Sequence, residues 1–215
     1  MPRRRRTRRV RPNARGDQSR ETILDVAERH FGDRGFRGVS TAAIAEDAGI
    51  SDPGLLHHYG SKEGLLRALL NQRFSLDAPK LRDGVTISTR DLLALIEGIV
   101  IENCERRAGV RLMMVLLGES ISDEHPTHDH FQRRYARVRQ ILSQHVRDGR
   151  AAGEIRSDIV PEQLATVLIA IMDGLQLQWL LDEQVDMASA VKLFVEMIAP
   201  AIANRGGSAS TSKRD

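Results

Sequence analysis

Three imidazoles stand within six residues at His125, His128 and His130, in the run SDEHPTHDH, with Asp123, Glu124 and Asp129 beside them. Imidazoles and carboxylates at that spacing are a possible donor set for zinc or nickel. The same run also reads as a loop entering a helix, with an acid or Thr127 as the cap, and no metal is assigned to it. His57 and His58 are adjacent, and neighbours on a helix diverge by about 100°, so they do not readily share one ion. The chain lacks a Gly-x-Ser-x-Gly elbow, a His-Glu-x-x-His pair and a phosphate-cradling glycine loop. Its one cysteine, Cys104, excludes an internal disulfide and any multi-cysteine metal centre, and reads as a small apolar side chain. No catalytic residue and no cofactor is therefore expected.

Charge is the chemistry the chain does offer. The formal net charge is +3, yet residues 1–20 hold nine arginines and one acid, a local +8 that leaves about −5 for the rest. Arg3, Arg4, Arg5, Arg6, Arg8, Arg9, Arg11 and Arg15 fall in a stretch without hydrophobic periodicity, predicted to be a disordered arm over residues 1–16. Such an arm neutralises phosphates or enters a narrow minor groove; a tail that only improves solubility is the plainer alternative. No apolar run follows the charges, so a secretory signal is not expected, and no uninterrupted stretch reaches the roughly 18 residues of a membrane span.

A duplex reader needs a rigid element to present, and residues 40–62, STAAIAEDAGISDPGLLHHYGSK, supply one. Ser40 or Thr41 caps a short helix to about Ala48, with Ile44 and Ala48 on one face and Ala45 small enough for a close crossing. Gly49 makes the turn, since glycine accepts positive φ without steric cost. Ile50 turns back to the core, Ser51 caps the next helix, and Pro53 occupies its first turn. Leu55, Leu56 and Tyr59 give that helix a buried side, leaving Ser51, Asp52, Gly54, His57 and His58 exposed. Before this pair a helix is predicted from Gln18 to Phe31, capped by Asp17 or Ser19 and ended by Gly32 and Gly35. Ile23, Ala27, Phe31, Phe36 and Val39 complete its core. After the pair, Ser61 caps a fourth helix that has Glu63 in its first turn.

The combination Thr41, Ile44, Ala45, Ala48, Gly49, Ile50, Ser51, then Leu55, His58, Tyr59, Ser61, Lys62, Glu63, Leu65 and Leu66, resembles the N-terminal helix-turn-helix domain of the TetR family of bacterial one-component transcription regulators. The match spans roughly residues 18–70. It implies that Thr41, His58 and Lys62 meet phosphates and that Ser51, Asp52, Gly54 and His57 meet bases or nearby phosphates. Asp52 stands where a basic or small residue is frequent, and Leu56 where tyrosine is common. The resemblance also implies that the fourth helix transmits movement from a regulatory body to the reader, and that the protein works in a bacterial cytoplasm.

The rest is helical by pattern, so the fold class expected is all-α: a three-helix N-terminal reader joined by a fourth helix to a larger helical body. The divisions are 1–16 (arm), 17–74 (reader and linking helix), 75–203 (body) and 204–215 (flexible tail). In the body, Val110 to Leu117 is apolar nearly all round and predicts a buried helix. Phe131, Tyr135, Val138, Leu142 and His145 mark a long helix, and Pro161 opens another. Asp186 caps the last, expected to bury Leu193, Phe194, Met197 and Ile198.

One recognition helix covers few base pairs, so a symmetric dimer on a palindromic double-stranded operator is expected. By resemblance its surface is the last two helices, about 161–182 and 187–203, with Trp179 and Phe194 as anchors; the same stripes could instead pack within one subunit. The family usually binds a small effector inside the body. Val100, Met113, Met114, Tyr135, Met172 and Trp179 are candidate lining, and Asn103, Glu119, His128 and Asp173 candidate polar contacts, although each is equally explained as ordinary core. Competing with a ligand-released repressor are an enzyme carrying a helix-turn-helix head and a module whose arm binds nucleic acid without sequence choice.

Overall fold

The structure is a computed structural model that describes residues 14–74 and 86–204, with side chains from residue 19. Residues 1–13 of the predicted arm, most of the predicted domain boundary and residues 205–215 of the polar tail lie outside the described residues, whereas residues 14–16, expected to be disordered, are the start of a helix. Those described form nine helices and no strand: α1 (Ala14–Arg34), α2 (Thr41–Asp47), α3 (Asp52–Tyr59), α4 (Lys62–Arg73), α5 (Thr89–Cys104), α6 (Arg107–Glu119), α7 (His128–Ala151), α8 (Pro161–Leu181) and α9 (Met187–Ile202).

Short side chains set most of the boundaries. The hydroxyls of Ser40, Ser51, Ser61 and Ser88 accept the free N–H three residues ahead, and Asp186 does the same for Ser189. Each such cap contributes about 1 kcal/mol. Gly49 turns α2 into α3 at φ 71°, and its left-handed backbone is what releases the Ile50 N–H to the Ala45 carbonyl at 2.9 Å.

Helix α1 corrects the sequence reading at both ends. It begins at Ala14, so neither Asp17 nor Ser19 is its cap, and it runs through Gly32 to Arg34. Gly32 does not stop the helix. It lies where α1 packs on α6, and a Cβ there would sit 3.4 Å from the Leu112 backbone nitrogen, an ordinary contact distance. Gly35, at φ 68°, makes the stop.

That contact has a larger consequence. One continuous core holds Ile23, Ala27, Phe31, Ile44, Leu55 and Leu66 from the first four helices together with Leu112 and Leu116 of α6 and Phe131 of α7. The reader thus shares its interior with the body. A second core, around Ile96, Val100, Leu142, Leu168 and Val191, joins α5, α7, α8 and α9.

Two body helices differ from expectation. α6 is not buried all round: Val110, Leu112 and Leu116 are, but Arg111 and Gly118 face solvent, because only one side of α6 packs on α1. In α9, Leu193 and Met197 are 58% and 66% exposed, since its core side is carried by Met187, Val191 and Ile202. By length and hydropathy alone α8 could cross a bilayer, but its Leu164, Ala165 and Leu168 lie in the second core.

Candidate nucleic-acid interface and body cavity

The recognition surface is built from α2, its glycine turn and α3. Leu55 is completely buried and fixes which side of α3 faces outward. Ser51, His57 and His58 lie on the exposed side, while Asp52 and Gly54 are half-buried rather than exposed as predicted. They tuck in because Ser51 Oγ accepts the Gly54 N–H at 3.2 Å, drawing the first turn over its cap. Asp52 Oδ1 has no hydrogen-bond partner despite being covered; its charge stands in the first turn, where the helix dipole favours it. Thr41 is half-buried at the start of α2. His30 Nε2 and Asp47 Oδ2, 2.6 Å apart, pin the end of α2 to α1.

Lys62 has a use within the chain. Its ammonium donates to the Val39 carbonyl at 2.5 Å and stands over the Phe36 ring, 4.4 Å from the centroid. From the other side, Glu119 Oε2 accepts the Phe36 N–H, and the His125 ring meets the Phe36 ring edge-on at 5.6 Å. The six predicted contact arginines, Arg3 to Arg9, lie outside the described residues.

The imidazole run is divided by the start of α7. His125 is buried, with Nδ1 2.8 Å from Thr127 Oγ1, and burial lowers its pKa against the opposing pull of Glu119. Thr127 precedes α7 without capping it through its side chain, its hydroxyl being engaged by His125 and by Ser120 Oγ at 2.5 Å. His128 Nδ1 lies 2.9 Å from the Ser120 carbonyl oxygen. His130, lowered in pKa by burial, packs edge-on to Phe131. Among the described residues no three of these groups converge on a metal position.

Between the body and the end of α4 lies a half-open cavity of about 260 Å³, a little below the usual range for small-molecule pockets. Of the predicted lining, Asn103, Met113, Tyr135, Met172 and Asp173 do face it. The other five do not. Val100 is fully buried in the second core, and Met114 is half-buried away from the cavity wall. Glu119 and His128 are held at the α6–α7 connection. Trp179 is covered by the Arg107 guanidinium, 4.7 Å from its ring, while that arginine donates to the Trp179 and Leu180 carbonyls.

Sequence reasoning missed the cavity's charged members. Glu102, Arg106 and Arg134 line it, as does Arg73 at the end of α4. Arg73 is matched by Glu21, Asp25 and Glu28 of α1. Tyr135 donates its hydroxyl to Asp173 Oδ2 at 2.6 Å. Burial raises the pKa of both groups, and Asp173 lifts Tyr135 further. The signal for Arg134 was its place one residue before Tyr135 on a strongly amphipathic helix, but arginines are so frequent on α7 that nothing in the spacing singled it out.

Comparison with known proteins agrees with this geometry. Residues 23–69 match the family described as bacterial regulatory proteins, tetR family, and residues 88–203 match the C-terminal domain of BetI-type transcriptional repressors. The transcriptional repressor AcnR of Corynebacterium efficiens is 29% identical over 160 residues, covering 73% of this chain and 79% of its own. The transcriptional regulator UidR of Escherichia coli is 24% identical over 156 residues, with the same two coverages. Among solved structures, the SmeT–triclosan complex superposes with a TM-score of 0.72 at 20% identity, covering 88% of this chain and 93% of that one. A transcriptional regulator from Saccharomonospora viridis in complex with choline gives 0.67 at 25% identity, covering 84% and 96%.

Proposed function

The chain belongs to the TetR family of bacterial regulatory proteins, and from that premise we propose that this DNA-binding transcriptional regulator is a repressor released from a palindromic operator when a small molecule fills the body cavity. The observation that carries the proposal is the free face of α3: Leu55 anchors the helix, and Ser51, His57 and His58 stand clear of the chain's own atoms. A helix so presented fits the major groove, where each base pair shows its own donor and acceptor pattern.

In this reading Ser51, Asp52, Gly54 and His57 meet bases or adjoining phosphates, and Thr41 and His58 meet phosphates. Lys62 adds a phosphate contact with the ammonium protons not given to Val39, and Arg3, Arg4, Arg5, Arg6, Arg8 and Arg9 add a salt-sensitive component. Residues 17–74 serve as reader with linking helix and 75–203 as body. In the same reading α8 and α9 form the surface of a homodimer, supported by the exposure of Val167, Leu177, Leu181, Leu193 and Met197 on those two helices. Small-molecule control is supported by the cavity and by the two structural relatives solved with small molecules. The site of action is the bacterial cytoplasm, and no enzymatic activity is part of this reading.

A mobility shift on the DNA upstream of the protein's own gene, with excess unrelated duplex present, tests it. A discrete complex that resists the competitor is expected. Binding that the competitor removes in proportion to its length would overturn the reading.

A further inference from the structure

Arg134 extends from α7 into the cavity wall, and desolvation there lowers its pKa. A guanidinium keeps its charge at any ordinary pH and has five N–H donors. Among the described residues its side chain has one hydrogen-bond partner, the Phe74 carbonyl at 2.9 Å, and no carboxylate within ion-pair distance. Asp173, the acid that influences it, is turned to the Tyr135 hydroxyl. The contrast with Arg73 is direct: that guanidinium, in the same wall, is surrounded by three carboxylates. Glu102 and Arg106 contribute opposite charges to the lining. A half-buried, desolvated cation that no carboxylate pairs among the described residues is costly, and the wall beside it is a place where an anion would be stabilised.

We propose that the effector of this cavity is a small amphipathic carboxylate, its oxygens paired with the Arg134 guanidinium and its apolar body lying on Met113, Val138, Ile169 and Met172. This rests on the reading that the cavity is the effector site. A carboxylate matches the fork of a guanidinium in two parallel hydrogen bonds, which an alcohol or an amine does not. The same guanidinium holds the carbonyl of Phe74, the residue that closes α4. Recruiting Arg134 to an anion therefore acts on the end of the helix whose other end, at Ser61 and Lys62, adjoins α3.

The full-length protein is titrated by calorimetry with octanoate, octylamine and octan-1-ol, which share a chain length and differ in the head group. Octanoate is expected to bind about tenfold or more tighter than either, the difference expected of a charge-assisted pair. Arg134→Gln should erase that preference while Tm stays near that of the parent; Arg134→Lys, kept in reserve should the glutamine variant not fold, should weaken octanoate without reversing the order. Equal binding of octylamine and octanoate, unchanged octanoate binding by Arg134→Gln, or no binding of octanoate would overturn the proposal. If octanoate binds through Arg134 yet leaves the operator complex intact, the anion site stands and the release of DNA by cavity occupancy fails.

Discussion

Glu119 Oε2 accepts the backbone N–H of Phe36 at 2.8 Å, joining residues 83 positions apart in the chain. The bond crosses from the end of α6 to the turn between α1 and α2. Phe36 is held from both directions, since Lys62 stands over its ring and His125 meets it edge-on. The reader's first turn is thus set by one residue of the linking helix and two of the body. With Leu112 and Leu116 in the reader's core, movement in the body has a packed route to α2 and α3.

Removing that acceptor should loosen the junction. Glu119→Ala leaves the part-buried Phe36 N–H without a partner, at a cost of about 1–3 kcal/mol. For a chain of this size each kcal/mol lowers Tm by roughly 2–4 °C. Glu119→Gln keeps an acceptor oxygen and should lose less. Thermal unfolding followed by circular dichroism checks both, and an unchanged Tm for the alanine variant would contradict the role given to this bond.

Acid should weaken the fold through His125. Burial sets its folded-state pKa below the ordinary value of 6.5; Glu119 opposes the shift and Arg37 adds to it. The unfolded chain therefore takes up the proton first as pH falls. The neutral ring's contribution is complete above about pH 6.5 and is lost progressively as pH drops toward the folded-state pKa. His130 has the same sign, from burial and from Arg134 and Arg133. Tm should fall between neutral and mildly acid buffer, and His125→Asn should flatten part of that slope; an equal slope in the variant would count against it.

The reader was legible because its signals are local. Ser40, Gly49, Ser51 and Ser61 act within four residues of themselves, and all four do what their positions predict. Gly32 was misread because a glycine inside a helical pattern is tolerated as well as terminating, and the helix continues through it beside α6, some 80 positions away. The exposure of Leu193 and Met197 escaped for a related reason: an apolar stripe shows that a face is to be covered without showing whether the cover is the same chain. Arg134 was overlooked since a charged residue reads as solvated until a fold encloses it. Tyr135 and Asp173, read separately as candidates, are joined by a hydrogen bond across 38 residues that only packing α7 on α8 creates.

Deleting residues 1–13, which leaves α1 whole, should separate attraction from recognition. Each arginine that meets a phosphate steepens the dependence of log K on log salt by roughly 0.9. The shortened protein should bind more weakly at low salt and with a shallower slope, yet keep its preference for the operator over unrelated duplex, because α3 is intact. Fluorescence anisotropy across a salt series measures both quantities. Loss of all preference would favour the reading in which the arm alone binds nucleic acid.

The last prediction concerns the face that the isolated chain leaves uncovered. Leu193 and Met197 are four residues apart and so share one side of α9, and Leu177 and Leu181 repeat that spacing on α8 at 51% and 80% exposure. Phe194 is already packed against the second core, and Trp179 is occupied by Arg107, so the anchors expected from size alone are partly committed within the subunit. Leu193→Glu with Met197→Glu should therefore cost the single chain little, since surface substitutions usually change stability by less than about 0.5 kcal/mol. In a two-fold interface the same pair would bury four carboxylates without partners. Sedimentation velocity should show the parent at twice the chain mass and the double variant at the chain mass, with helical content preserved. Operator affinity should fall with it, because a single reader loses the second half-site. A variant that stays at twice the chain mass would place the dimer contact elsewhere.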